Sequence, residues 1–80
     1  MTRVTLLIGQ GCHLCHDARR VLDQVRAEIP FDLEEVLIDG DPSLESAYRS
    51  EIPVVLIDGQ KHFKYHVDPT ELSRRLQARS

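Results

Sequence analysis

The stretch Gly11-Cys12-His13-Leu14-Cys15-His16 decides how this chain is read. It holds both cysteines of the 80-residue sequence, and it lies where a strand-like apolar run, Val4-Thr5-Leu6-Leu7-Ile8, passes into a long segment of helical period. Residues three apart on a helix are neighbours, roughly 5–6 Å between Cβ atoms, and a disulfide tolerates Cα separations of about 4.4–6.8 Å. The spacing therefore permits a disulfide that forms and breaks. A helix N-terminus also favours an anion, because its first N–H groups lack intrahelical partners and the helix dipole is positive there. Cys12, nearest that end, is expected to be the more acidic thiol.

Downstream of the pair, Leu14, Ala18, Val21, Leu22, Val25 and Ile29 recur in steps that mark an amphipathic helix. Cys15 is in phase with Ala18, Leu22, Val25 and Ile29, so its sulfur is expected to face a sheet while Cys12 sits on the exposed lip. One thiol is placed to attack and the other to follow. Upstream, Arg3 to Ile8 is nearly continuous in apolar residues, as a central strand buried on both faces is.

Pro30 closes the helix, and Phe31 to Asp39 reads as a second strand whose alternation is broken by the adjacent Glu34 and Glu35. Asp41-Pro42 opens a short helix with an N-cap carboxylate and a first-turn proline. Its narrow apolar face is Leu44, Ala47 and Tyr48, and Glu51-Ile52-Pro53 ends it. Val54-Val55-Leu56-Ile57, the turn Asp58-Gly59 and the alternating Gln60 to Val67 form a hairpin. In its last strand Phe63, Tyr65 and Val67 are expected on one face, with His62, Lys64 and His66 on a polar face that suits an edge. Asp68-Pro69-Thr70-Glu71 starts a final helix with Leu72 and Leu76 as its stripe. The order βαβαββα places the first two strands parallel across a right-handed helical crossover. The expected fold is α/β, one four-stranded mixed sheet flanked by helices, as a single domain over residues 1–80.

Composition narrows the function. Thirteen acidic against ten basic residues give a net charge of −3, without the basic stripe that a nucleic acid or a membrane surface would require. Arg74, Arg75 and Arg79 form a local basic patch, read as a solvated helix face. No basic segment followed by a signal-like apolar run is seen after Met1, and no apolar run could span a bilayer, so the cytoplasm is the expected location. Two cysteines cannot make a disulfide-dense scaffold, which leaves redox or metal chemistry for C-x-x-C. A zinc site would take Cys12, Cys15, a neighbouring histidine and His62 or His66, though the second pair lacks a standard spacing. The literal Cys12-His13-Leu14-Cys15-His16 also matches a covalent haem attachment motif, which requires an export context. His13, when protonated, would favour a Cys12 thiolate; His16 lies with Arg19, Arg20 and Asp23 on the polar face of the helix.

A C-x-x-C at a strand-to-helix junction, followed by Ile52-Pro53 before a hydrophobic strand and then an Asp58-Gly59 hairpin, resembles the glutaredoxin-like branch of the thioredoxin superfamily over nearly the whole chain. Cys12-His13-Leu14-Cys15 is most similar to the small glutaredoxin-related group with a Cys-x-Leu-Cys site. The resemblance implies a thiol–disulfide oxidoreductase with Cys12 as nucleophile, Cys15 as resolving thiol and Pro53 as a cis-proline opposite them. His13, Leu14, Ile52, Pro53 and Asp68 are the substrate-side residues it implies. The partners would be a disulfide-containing protein or a glutathione mixed disulfide, together with a thiol reductant; glutathione would act as co-substrate, with no bound cofactor and no metal. A cis Pro53 would leave the Ile52 backbone open to an extended peptide or glutathione. The family's Cys-Pro-Tyr-Cys is replaced at His13 and Leu14, and Tyr65-His66-Val67-Asp68 stands where Gly-Gly and Asp help hold glutathione. Asp68 is explained equally as a helix N-cap. A reading from another class is a thioredoxin-fold binding module that holds a partner by Ile52-Pro53 without turnover.

Overall fold

Strand β1 (Arg3–Ile8) is apolar on both faces because it has a neighbour on each side and a layer above and below, and Val4 through Leu7 are all buried. A computed structural model describes residues 2–79, without the side chain of Arg79, so the part of the basic patch assigned to that residue lies outside the described residues. The chain continues through α1 (His13–Glu28), β2 (Asp32–Leu37), α2 (Pro42–Tyr48), β3 (Val54–Ile57), β4 (Gln60–Lys64) and α3 (Pro69–Arg79). The strands form one sheet in the order β2-β1-β3-β4. β1 runs parallel to β2 and antiparallel to β3, and β3 runs antiparallel to β4, which is the mixed four-stranded sheet expected.

Two apolar layers cover the sheet unequally. On one side Val4 and Leu6 of β1 and Val55 and Ile57 of β3 meet Ala18, Leu22 and Val25 of α1 and Leu72 and Leu76 of α3. The other side has Leu7, Ile38 and Val54 as its buried centre, with Leu44 and Tyr48 of α2 packed against it. Both shorter helices start as their sequences indicate. The Asp41 carboxylate accepts from the N–H groups of Ser43 (3.0 Å) and Leu44 (3.2 Å), and that of Asp68 from Thr70 (2.9 Å) and Glu71 (3.3 Å).

Several local expectations are corrected. β2 is shorter than Phe31 to Asp39: Phe31 leaves the ladder to fill the larger core, and Asp39 turns toward the loops at the sheet's end. Ala47 is exposed, so the apolar face of α2 is Leu44 and Tyr48 alone. β4 stops at Lys64, and a bulge between Val55 and Leu56 leaves His62 as an extra residue and breaks the alternation. The extra residue brings both Phe63 and His62 to Arg75 of α3. Its guanidinium lies 4.8 Å over the Phe63 ring and bonds to His62 Nδ1 (3.0 Å) and the His62 carbonyl (3.1 Å). Arg75 is therefore a packing residue and not part of a solvated patch. Tyr65, expected to share a face with Phe63, has φ +68° and turns out of the strand, while Val67 returns to the core.

Candidate active site

Cys12 is the N-cap of α1, with extended backbone angles (φ −94°, ψ 103°), and its sulfur accepts the Cys15 N–H at 3.2 Å. Gly11, at φ +73°, supplies the left-handed turn that aims the chain into the helix, a conformation glycine adopts without a Cβ penalty. Cys15 lies one turn on, at a Cα distance of 5.4 Å, and the two sulfurs form a disulfide. Cys12 is half-buried and Cys15 is 6 % exposed, in phase with Ala18, Leu22 and Val25 on the core side of the helix. The asymmetry read from the helical period is thus present: one sulfur at the lip, one behind it.

Beside the disulfide, between the first turns of α1 and the β2 edge, lies a cleft of about 420 Å³. Its walls include Gly9 to Cys12, Cys15, His16, Arg19 and Glu35. The Arg19 guanidinium bonds to Asp23 (3.1 Å) and pairs with Glu35 across the cleft, and these hydrogen bonds hold Arg19 above its usual basic range. His13 and His16 are exposed on α1, and Leu14 is half-buried there.

Ile52–Pro53 is a cis peptide bond directly before β3, and Pro53 is fully buried. The Ile52 backbone is not open on both sides: its N–H donates to the Tyr48 carbonyl at 3.0 Å, in the turn that ends α2. The expectation of a free Ile52 backbone is corrected to this extent, since an approaching chain would find that donor engaged. Asp68, also expected at the substrate side, caps α3.

Three residues that sequence reasoning did not single out shape the surroundings of the pair. Asp39, beyond the end of β2, pairs with Arg49 and accepts the Gln10 N–H at 2.8 Å; the Arg49 hydrogen bond first, and the Gln10 N–H second, hold its carboxyl below the usual range. Arg49 also bonds to Glu45 at 2.7 Å. Tyr65 donates its N–H to the Pro53 carbonyl (2.9 Å) and its hydroxyl to the Ser50 carbonyl (2.8 Å), pinning the segment that carries the cis bond. A charged residue just past a strand's C-terminal end, where α/β sheets assemble sites, was the available signal for Asp39. Tyr65 offered none, because a positive φ at a residue other than glycine has no local sequence signature. Among the described residues, no group of three or more His, Cys, Asp or Glu is placed to hold a metal ion.

This sheet order, with a C-x-x-C at the first strand-to-helix junction and a cis-proline before β3, is the thioredoxin fold. The fold is shared with a chloroplastic thioredoxin z, which is 16 % identical and superposes with a TM-score of 0.78 over 98 % of this chain and 77 % of that one. The chain belongs to a particular family of that class, the Glutaredoxin-like domain (DUF836), whose model matches residues 3–77. A structural-genomics target protein from X. campestris is 34 % identical, with a TM-score of 0.79 over 94 % of this chain and 96 % of its own. Uncharacterized proteins of Mycobacterium bovis and Mycobacterium tuberculosis are 32 % identical over 75 residues, 88 % of this chain and 77 % of theirs. A glutaredoxin-like fold with a cysteine pair at the helix N-terminus supports chemistry of the thiol–disulfide type. No described helix is long and apolar enough to cross a membrane.

Proposed function

We propose that the protein is a dithiol–disulfide oxidoreductase in which Cys12 attacks and Cys15 resolves. The observation that carries this reading is the seat of Cys12, a half-buried N-cap whose sulfur already accepts an N–H from the helix end. A donor and a positive dipole end directed at the sulfur stabilise a thiolate over a thiol. In the reduced protein the Cys12 thiolate attacks one sulfur of a substrate disulfide; a Cys12–substrate bond forms, the substrate S–S bond breaks, and one substrate thiolate leaves and takes up a proton. Cys15 then gives up its proton and its sulfur attacks that of Cys12, forming the intramolecular disulfide and releasing the second substrate thiol. The protein ends oxidised by two electrons, and two equivalents of an external thiol, or one dithiol, return it to the start.

The substrates proposed are protein disulfides and glutathione mixed disulfides, with Ile52–Pro53, His13 and Leu14 forming the surface that meets them. Because the Ile52 N–H is engaged, a docking peptide strand has the Ile52 carbonyl, and not the N–H, as its partner at that residue. The test is the pH dependence of alkylation at each cysteine of the reduced protein, resolved by peptide mass spectrometry. Cys12 should titrate clearly below the ordinary thiol value of about 8.5 while Cys15 stays protected. Two ordinary thiols would favour the non-catalytic binding module.

A further inference from the structure

The loop that delivers Cys12 and the loop that carries the cis bond meet at one charged cluster. Asp39 accepts from the Gln10 N–H of the first loop at 2.8 Å and pairs with Arg49 at the end of α2, three residues before Ile52. Arg49 is anchored a second time by Glu45 at 2.7 Å. The approach is close enough that a side chain at Gly9 would displace the tip of Ile52. A Cβ there would stand 2.6 Å from Ile52 Cδ1, 3.3 Å from Arg49 Nη1 and 3.6 Å from Asp39 Oδ2. The cluster therefore touches both halves of the dithiol site, although none of its members touches a sulfur.

A carboxylate two residues from Cys12 in hydrogen-bonded connectivity poses an electrostatic conflict. Its charge opposes formation of a thiolate at Cys12, while its two oxygens provide a rigid acceptor for the loop. Arg49 eases the conflict by offsetting the carboxylate's charge and, through the same guanidinium, tying it to the segment before Ile52. We propose that Asp39 and Arg49 are positioning residues for the dithiol site, an ion-paired tie that holds the Cys12 loop against the cis-proline loop while Arg49 offsets the charge of the carboxylate bonded to that loop. The inference rests on the dithiol reading given above and assigns a role to two residues outside the cysteine pair.

The other charged and titratable groups beside Cys12 are His13, its neighbour in the chain, and His16, Arg19 and Glu35 in the cleft wall; Glu45 flanks Arg49, and Glu51 with Lys61 and Lys64 with Tyr65 belong to the cis-proline loop and the β4 end. None is altered in the test, which measures the alkylation pH profile of Cys12 in the reduced full-length chain by a neutral reagent. Asp39→Asn removes one negative charge and leaves Arg49 with Glu45 as its carboxylate partner, and should lower the apparent Cys12 pKa by about half a unit, the size of one solvent-screened charge a loop away. Arg49→Gln leaves the carboxylate uncompensated and should raise it by a similar amount. The double variant should return close to the wild-type profile, and Arg74→Met, which breaks an ion pair on α3, should leave the profile unchanged. A purely structural tie would move both single variants the same way, or lower their thermal midpoints without moving Cys12; either result overturns the proposal. Opposite shifts around an ordinary wild-type Cys12 would sink the oxidoreductase reading and keep the tie. An acidic wild-type Cys12 that ignores both substitutions would do the reverse.

Discussion

The two faces of the sheet are held by different physics. On the α1–α3 face, Leu22, Leu72 and Leu76 interlock with Val4, Leu6, Val55 and Ile57 in a continuous apolar layer. On the α2 face only Leu7, Ile38 and Val54 are buried as a cluster, no residue of α2 is itself fully buried, and the segment after that helix is fixed by polar ties from Asp39 and Tyr65. The proposed dithiol site draws on one part of each: Cys12 and Cys15 ride on the helix set by burial, Ile52 and the buried Pro53 on the segment that hydrogen bonds tie down. Burial costs stability when it is lost but leaves little freedom of position. Polar ties at the surface are individually weak, so the half of the site that they hold can be adjusted with small loss of stability.

The largest expected effect is on the thick layer. Leu22→Ala should destabilise the protein by about 2–5 kcal/mol, as a cavity in a closed core does, whereas Leu44→Ala on α2, half-buried to begin with, should cost about 1 kcal/mol. Equal losses in urea unfolding would break the contrast. Next, Gly9→Ala forces Ile52 or Arg49 aside, because the added methyl falls on the Ile52 side chain. A cost of about 1–2 kcal/mol is expected from such overpacking, together with slower exchange in a disulfide reduction assay; unchanged exchange would mean that the position of Ile52 is not used. Tyr65→Phe removes the bond to the Ser50 carbonyl and should cost about 0.5–1 kcal/mol, read as a small drop in thermal midpoint with the core signal intact.

The smallest effect concerns acid. Asp39, Glu51 and Glu71 are held below the usual carboxylate range by Arg49, Lys61 and Arg74 respectively. A depressed folded-state pKa gives stability that is present above the unfolded value, about 4, and is lost as pH falls through the folded one. The thermal midpoint should therefore be flat from pH 7 to about 5 and decline below about 4. These carboxylates lie at the surface, so salt should blunt the decline. A flatter acid limb in Asp39→Asn would assign part of it to the α2 side.

The thick layer was legible in the sequence, because helical period and apolar runs report burial directly. The spacing of Cys15, Ala18, Leu22 and Val25 gave the face of α1, and the run from Val4 to Leu7 gave the central strand. Asp41, Asp68 and the Asp58-Gly59 turn were equally plain, since caps and tight turns are local chemistry. What sequence reasoning missed depends on contacts distant in the chain. The bulge at His62, the turn of Tyr65 out of β4, the engagement of the Ile52 N–H by Tyr48 and the meeting of Gln10, Asp39 and Arg49 have no periodic signature. They lie on the side of the site that polar ties hold, where composition carries the least information about position.

The central claim is the division of labour between the sulfurs, and trapping tests it most directly. Cys15→Ser and Cys12→Ser proteins, reduced and mixed with a protein disulfide substrate, would be quenched with acid and analysed for mixed disulfides by mass spectrometry. The account predicts a persistent adduct through Cys12 in the Cys15→Ser protein and neither adduct nor exchange in the Cys12→Ser protein. Adducts of equal yield through either remaining cysteine would contradict it.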